Sequence, residues 1–170
     1  MSHPAQLEFV EKVRSKFPSL FVRSTVLEVG SLNINGSIRP FFQQCVYIGI
    51  DIGPGKDVDI VARGEDLAFK DNSFDVVASC ECFEHNPEWV KTLQNMIRIS
   101  ASLVFFTCVT TGRAEHGTPR TSPYDAPFCG DYYQNLTEED IRANIDLSVF
   151  KEYEFSTNDQ AHDLYFWGIK

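Results

Sequence analysis

Five short stretches, residues 25–29, 46–50, 58–61, 74–79 and 103–107, are apolar almost without a break. A strand with one wet face alternates apolar and polar side chains, whereas a strand that stays apolar is buried on both faces. A parallel sheet covered by helices on each side meets that condition. The segments between carry helical spacing where cover is needed. Residues 4–16 place Leu7, Val10 and Val13 on one side with charges between, and Pro18 ends the pattern. Residues 87–99 do the same with Trp89, Val90, Leu93, Met96 and Ile97, opening on Pro87 as a first helical turn prefers. Residues 37–44 predict a shorter helix after the first strand, and only a loop separates the third and fourth strands. This alternation predicts a three-layer, doubly wound α/β fold.

The end of the chain follows another rule. Residues 147–155 carry Leu147, Val149, Tyr153 and Phe155 against a more polar side, a turn stands at 158–160, and 164–169 is almost wholly apolar. Strands this close form a hairpin and are antiparallel, with the last one central and its predecessor at the edge. Residues 1–170 are enough for one domain, with an N-terminal helical segment at 1–24.

Composition narrows the function. The five cysteines, Cys45, Cys80, Cys82, Cys108 and Cys129, show no framework spacing and fit a reducing cytoplasm. Met1 to Val10 lacks the charged start and apolar block of a signal peptide, and no apolar run reaches the ~20 residues of a membrane span. The net charge is −9, and Arg113 with Arg120 is the nearest approach to a basic cluster. Binding to a nucleic-acid backbone or a membrane is therefore not expected. Oligomeric state is not legible.

The candidate site lies at the carboxyl ends of the strands. The first strand ends in Glu28-Val29-Gly30-Ser31, and Asn35-Gly36 follows in a turn that permits positive φ. The second ends in Asp51, about 20 residues beyond Glu28, where an acidic side chain reaches ribose hydroxyls in dinucleotide folds. A third acidic position stands at Gly64-Glu65-Asp66. The pyrophosphate-binding pattern G-x-G-x-x-G is absent, which disfavours a nicotinamide cofactor.

In order and spacing, Val26-Leu27-Glu28-Val29-Gly30, Gly49-Ile50-Asp51, Gly64-Glu65-Asp66-Leu67, 72–77 and Phe83-Glu84-His85 resemble the motifs of class I S-adenosylmethionine-dependent methyltransferases of the type 11 kind. The resemblance runs from about Thr25 to Thr107. It implies a seven-stranded sheet of order 3-2-1-4-5-7-6 with the last strand antiparallel, and S-adenosyl-L-methionine as cofactor. It implies that Glu28, Gly30, Ser31, Asn35 and Gly36 lie toward the methionine part and that Asp51 and Ile52 lie at the ribose. Glu65, Asp66 and Leu67 would lie at the adenine, and Ser79 and Cys80 beside the sulfonium. One departure stands out: the family's further glycines are replaced by Leu32 and Ile34.

Methyl transfer asks the protein mainly to hold an acceptor close and aligned. His85, just past the fourth strand, is the candidate base by its pKa range, with a structural role as the alternative. The segment 111–136, with Glu84 beside it, is expected to be a substrate lid carrying His116, Tyr132 and Tyr133, because long loops in compact domains are commonly functional. Thr137 caps the helix that closes it. Cys80, Cys82, His85 and His116 lack zinc spacing, so no metal is expected. The sequence thus predicts an enzyme methylating a small molecule; the alternative is a non-catalytic module of the same fold that binds cofactor or a partner protein.

Overall fold

The computed structural model describes residues 4–170. The first three residues of the expected 1–170 domain, of its 1–24 segment and of the leader reading at Met1 to Val10 lie outside that range. The chain runs helix α1 (Pro4–Lys16), strands β1 (Thr25–Val29), β2 (Val46–Asp51), β3 (Ile60–Val61) and β4 (Phe74–Cys80), helix α2 (Trp89–Ile99), strand β5 (Ser100–Val109), helix α3 (Glu138–Asn144), and strands β6 (Glu152–Asn158) and β7 (Asp163–Ile169). One seven-stranded sheet has the order β3-β2-β1-β4-β5-β7-β6. The pairs β1–β2, β1–β4, β2–β3 and β4–β5 are parallel, and β7 is antiparallel to β5 and β6.

Strand alternation divides the core between two faces. Leu27, Val29, Val77, Val104 and Phe106 face Leu93, Met96 and Ile99 of α2 and Ile141 of α3. Val26, Val76, Ala78 and Phe105 face Phe9, Val10 and Val13 of α1. Each large side chain so removed from water contributes roughly 1.5–3 kcal/mol. The two inner ends of the sheet differ as predicted: β7 is buried along nearly its whole length, while β6 alternates exposed and half-buried positions.

Three expectations need correction. Residues 37–44 hold only a single turn of 3-10 helix, Arg39–Phe41. The segment is too short to nucleate a helix on its own; Phe42 is extended and Gln44 takes a positive φ of 56°. The third strand shrinks from 58–61 to Ile60–Val61, an exposed edge paired on one side only. The strand expected at 147–155 divides, because Asp146 accepts a hydrogen bond from the Ser148 N–H and caps a turn at Leu147–Val149 before β6 begins.

Residues 111–136 contain one 3-10 turn, Pro123–Asp125, and are otherwise irregular. The segment is tied down at both ends. Arg113 Nη1 donates to the Ala161 carbonyl at 2.7 Å, and the Gln134 and Leu136 N–H groups donate to the Glu84 and Val109 carbonyls at 2.9 and 3.0 Å. Arg120 pairs with Glu115 at 2.8 Å and with Asp131, so it forms no basic patch with Arg113. No helix among the described residues is long and apolar enough to cross a membrane.

Candidate functional site

A cavity of about 410 Å³ opens at the carboxyl ends of β1, β2 and β4, roofed by residues 125–132. Its floor begins where β1 turns. The Gly30 and Ser31 N–H groups both donate to the Ile50 carbonyl at 2.9 Å, folding the chain over the end of β2. Gly30 adopts φ +80°, and a Cβ there would stand 2.7 Å from Cys82 Cβ. Glycine is needed twice over, for the backbone angle and for the space.

Asp51 closes this corner. Its carboxylate accepts from the Leu32 N–H at 3.1 Å and the Gly53 N–H at 3.3 Å, and it lines the cavity. Burial raises its pKa against the pull of those hydrogen bonds. Each carboxylate oxygen has two acceptor positions, so two amides leave capacity for a ligand's hydroxyls. Beyond it, Ala62, Arg63, Gly64 and Glu65 form the next wall, with Leu32, Ile34 and Ile52 as apolar lining.

On the other side, β4 runs into Glu81 and Cys82, then a 3-10 turn Phe83–His85. Glu81 takes φ 53°, unusual for a side chain of this kind, and that bend aims it and Cys82 into the cavity. Burial, then the neighbouring charge of Glu84, pushes the Glu81 carboxyl upward. Glu84 is fully buried, and burial raises it to about 7. Its two oxygens find no hydrogen-bond partner in another described residue. His85 reaches the cavity wall, 8% exposed, with both ring nitrogens likewise unpartnered. Burial, and then His116, lower its basicity to about 4, so the ring is neutral near pH 7 and a weak base. His116 and Tyr133 pack against it with ring centroids 5.2 and 5.5 Å away.

Of the positions expected from sequence, Gly30, Asp51, Ile52, Glu65, His85 and Tyr132 line the cavity. Others sit elsewhere, each for a local reason. Glu28 points to the α1 face, where it accepts from Tyr47 Oη at 2.7 Å, and burial raises it to about 7. Ser31 is buried under Gly49. Asn35 and Gly36 lie past the bend, and Leu32 and Ile34 take the lining places. A single turn at Gly64–Asp66 sends Glu65 inward, leaves Asp66 exposed and buries Leu67 in the core. Ser79 and Cys80 are still inside the sheet, so the rim begins at Glu81 and Cys82 instead. Glu84, His116 and Tyr133 gather behind the wall that His85 forms. Sequence reasoning missed Glu81, Cys82 and Asn86. The Pro87 that opens the helical pattern after β4 was the nearest signal that the rim lay two residues further on.

Residues 28–104 match a family model described as a methyltransferase domain. No curated protein matches the sequence. Solved structures match in fold. The CurJ carbon methyltransferase aligns with 94% of this chain at 15% identity and TM-score 0.62, and this chain spans only 51% of that one. A SAM-dependent methyltransferase from Aquifex aeolicus aligns over 98% of this chain and 93% of its own, at 15% identity and TM-score 0.59. Magnesium protoporphyrin IX methyltransferase from Synechocystis PCC 6803 with bound SAM aligns over 96% and 79%, at 12% identity and TM-score 0.63.

Proposed function

From the class I S-adenosylmethionine-dependent methyltransferase fold and its matched methyltransferase-domain core, we propose that this chain transfers a methyl group to a small-molecule acceptor. The observation that carries the reading is the half-buried Asp51 carboxylate at the end of β2, opposite the Gly30 bend and facing the same cavity. The cofactor is S-adenosyl-L-methionine, which supplies an electrophilic methyl group on a cationic sulfur.

The residues present fit that group. Gly30 lets the bend close against Cys82 at the cavity floor, where a Cβ would collide. Asp51 retains acceptor positions for ribose hydroxyls, and of Glu65, Asp66 and Leu67 it is Glu65 that stands at the cavity to take the adenine side. Leu32, Ile34 and Ile52 offer apolar surface to the rest of the molecule. The carboxylates of Asp51 and Glu65 at the cavity favour a cationic ligand. On the acceptor side, residues 125–132 and His85 exclude water and hold the acceptor in line, the effect on which methyl transfer chiefly depends. At its lowered pKa the His85 ring accepts a proton poorly, so its part is to position rather than to act as a strong base.

Titration calorimetry with S-adenosylhomocysteine tests this. Micromolar binding is expected, weakened about a hundredfold by Asp51→Ala, the loss of two hydrogen bonds to a charged group at about 1.5 kcal/mol each. Absence of binding at millimolar ligand would favour the non-catalytic module, the reading that Leu32 and Ile34 in the glycine places support.

A further inference from the structure

At and behind the wall that His85 forms, the fold gathers side chains of which the methyl-transfer reading uses only His85. Glu84, His85 and His116 each present a ligand atom, and these atoms lie within 4.8 Å of one another. They come from two separate parts of the chain: the turn after β4 and the segment 111–136. Glu84 is 0% exposed, and neither of its oxygens meets a donor from another described residue. Both nitrogens of His85 are buried and unpartnered as well. An unsatisfied buried polar group costs roughly 1–3 kcal/mol, more when it carries charge, and Glu84 meets no other residue's donor while both nitrogens of His85 lack a partner. Burying a carboxyl group and an imidazole side by side in this state is costly in a folded core unless something occupies the space between them.

His116 shows what that occupant is. Its Nδ1 stands 3.2 Å from the Ala114 carbonyl and 3.2 Å from Tyr133 Oη, while Tyr133 Oη donates to the same carbonyl at 3.1 Å. A carbonyl only accepts, so the tautomer with its proton on Nδ1 satisfies this contact and leaves Nε2 with a lone pair to offer a ligand. Metal-ligating histidines are held in this way, one ring nitrogen on a backbone carbonyl and the other on the ion. Gly117, next along the chain, lies so close that a Cβ would stand 2.6 Å from His85 Cε1, so the segment packs directly on that ring.

We propose that Glu84, His85 and His116 form a binding site for a divalent transition-metal ion. Two imidazoles and a carboxylate suit zinc, and also cobalt, manganese or ferrous iron. Three protein ligands leave coordination positions open, the arrangement of a site that binds substrate rather than one that only staples a fold. Zinc holds such ligands at about 2.0–2.2 Å, so an ion draws the three side chains slightly inward. Because His85 also lines the main cavity, an ion held there would fix the ring that faces the acceptor. That last role rests on the proposed function; the metal site itself stands on the side chains alone.

The test is calorimetry of ZnCl2, and separately CoCl2, into the full chain stripped with a chelator. One equivalent is expected at micromolar affinity or tighter, with cobalt giving a visible absorption band from nitrogen ligands. His116→Ala, in the exposed lid, and Glu84→Gln, which keeps the side chain's shape, are each expected to weaken binding about a hundredfold. Asp51→Ala is expected to leave it unchanged. Circular dichroism confirms that each variant is folded. Absence of stoichiometric binding by the folded wild-type chain overturns the proposal, as does binding undiminished in both ligand variants. S-adenosylhomocysteine binding measured on the metal-free chain is a separate readout, so loss of one reading leaves the other standing.

Discussion

The two halves of the sheet rim handle their polar groups in opposite ways. On the β1–β2 side, Asp51 receives two backbone N–H bonds, and the Gly30 and Ser31 amides share the Ile50 carbonyl. On the β4–β5 side, Glu84 and His85 are buried with unpartnered oxygens and nitrogens. A corner that satisfies itself keeps its shape whether or not a ligand is present. A corner that does not is stabilised by what arrives. On the proposed function, the half that takes the cofactor is preformed and the half that takes the acceptor is completed by binding.

The largest effect should come from the closed corner. Gly30→Ala forces a side chain into positive φ and against Cys82, and is expected to cost about 3 kcal/mol in urea denaturation. An unchanged midpoint would mean that the bend is looser than its hydrogen bonds imply.

Glu28 sharpens the same half through pH. Burial raises its folded pKa to about 7 from an unfolded value of 4.5. The folded chain then binds the extra proton, so stability present below pH 4.5 is lost as pH rises through 7, up to about 3 kcal/mol. Glu28→Gln keeps an acceptor for Tyr47 and should flatten that slope. Equal slopes in the two proteins between pH 5 and 8 would remove Glu28 as its source.

For the open corner the sign reverses. Glu84→Leu, a swap of similar volume, should stabilise the metal-free chain by about 2 kcal/mol, because an unpartnered carboxylate leaves the core. A lower melting temperature would show that the carboxylate is already satisfied. The smallest change concerns the end of the lid. Thr137 Oγ1 accepts from the Asp140 N–H at 3.2 Å, and Asp140 returns a bond to the Thr137 N–H at 2.9 Å. Thr137→Ala should cost about 1 kcal/mol, with faster hydrogen exchange in α3 and the residues leading into it. If exchange there is unaltered, the lid is held by its other ties.

How far the sequence could be read depended on how many residues a feature spans. Buried parallel strands and the closing hairpin were legible because each writes an apolar run along several residues. The Gly30 bend and Asp51 were legible because they stand at strand ends. What failed were choices between neighbours. Glu65 rather than Asp66, and Glu81 and Cys82 rather than Ser79 and Cys80, depend on a single turn or one backbone angle. The expected helix at 37–44 failed where the seven-residue α3 formed: α3 opens on the Thr137–Asp140 capping box, whereas the turn at Arg39–Phe41 has no side-chain cap and Phe42 is extended. The meeting of Glu84 and His85 with His116 left no trace in spacing, since tertiary folding of an irregular segment brings them together.

The position of β7 bears on how the chain is made. It fills the gap between β5 and β6, yet it is synthesised after both. While a nascent polypeptide leaves the ribosome, β5 therefore presents an unpaired, largely apolar edge until residues 163–169 emerge, and such edges invite pairing with other chains. Stalled or shortened translation products that lack those residues should be captured by chaperones or aggregate, whereas changes at the exposed outer strand should pass without that consequence.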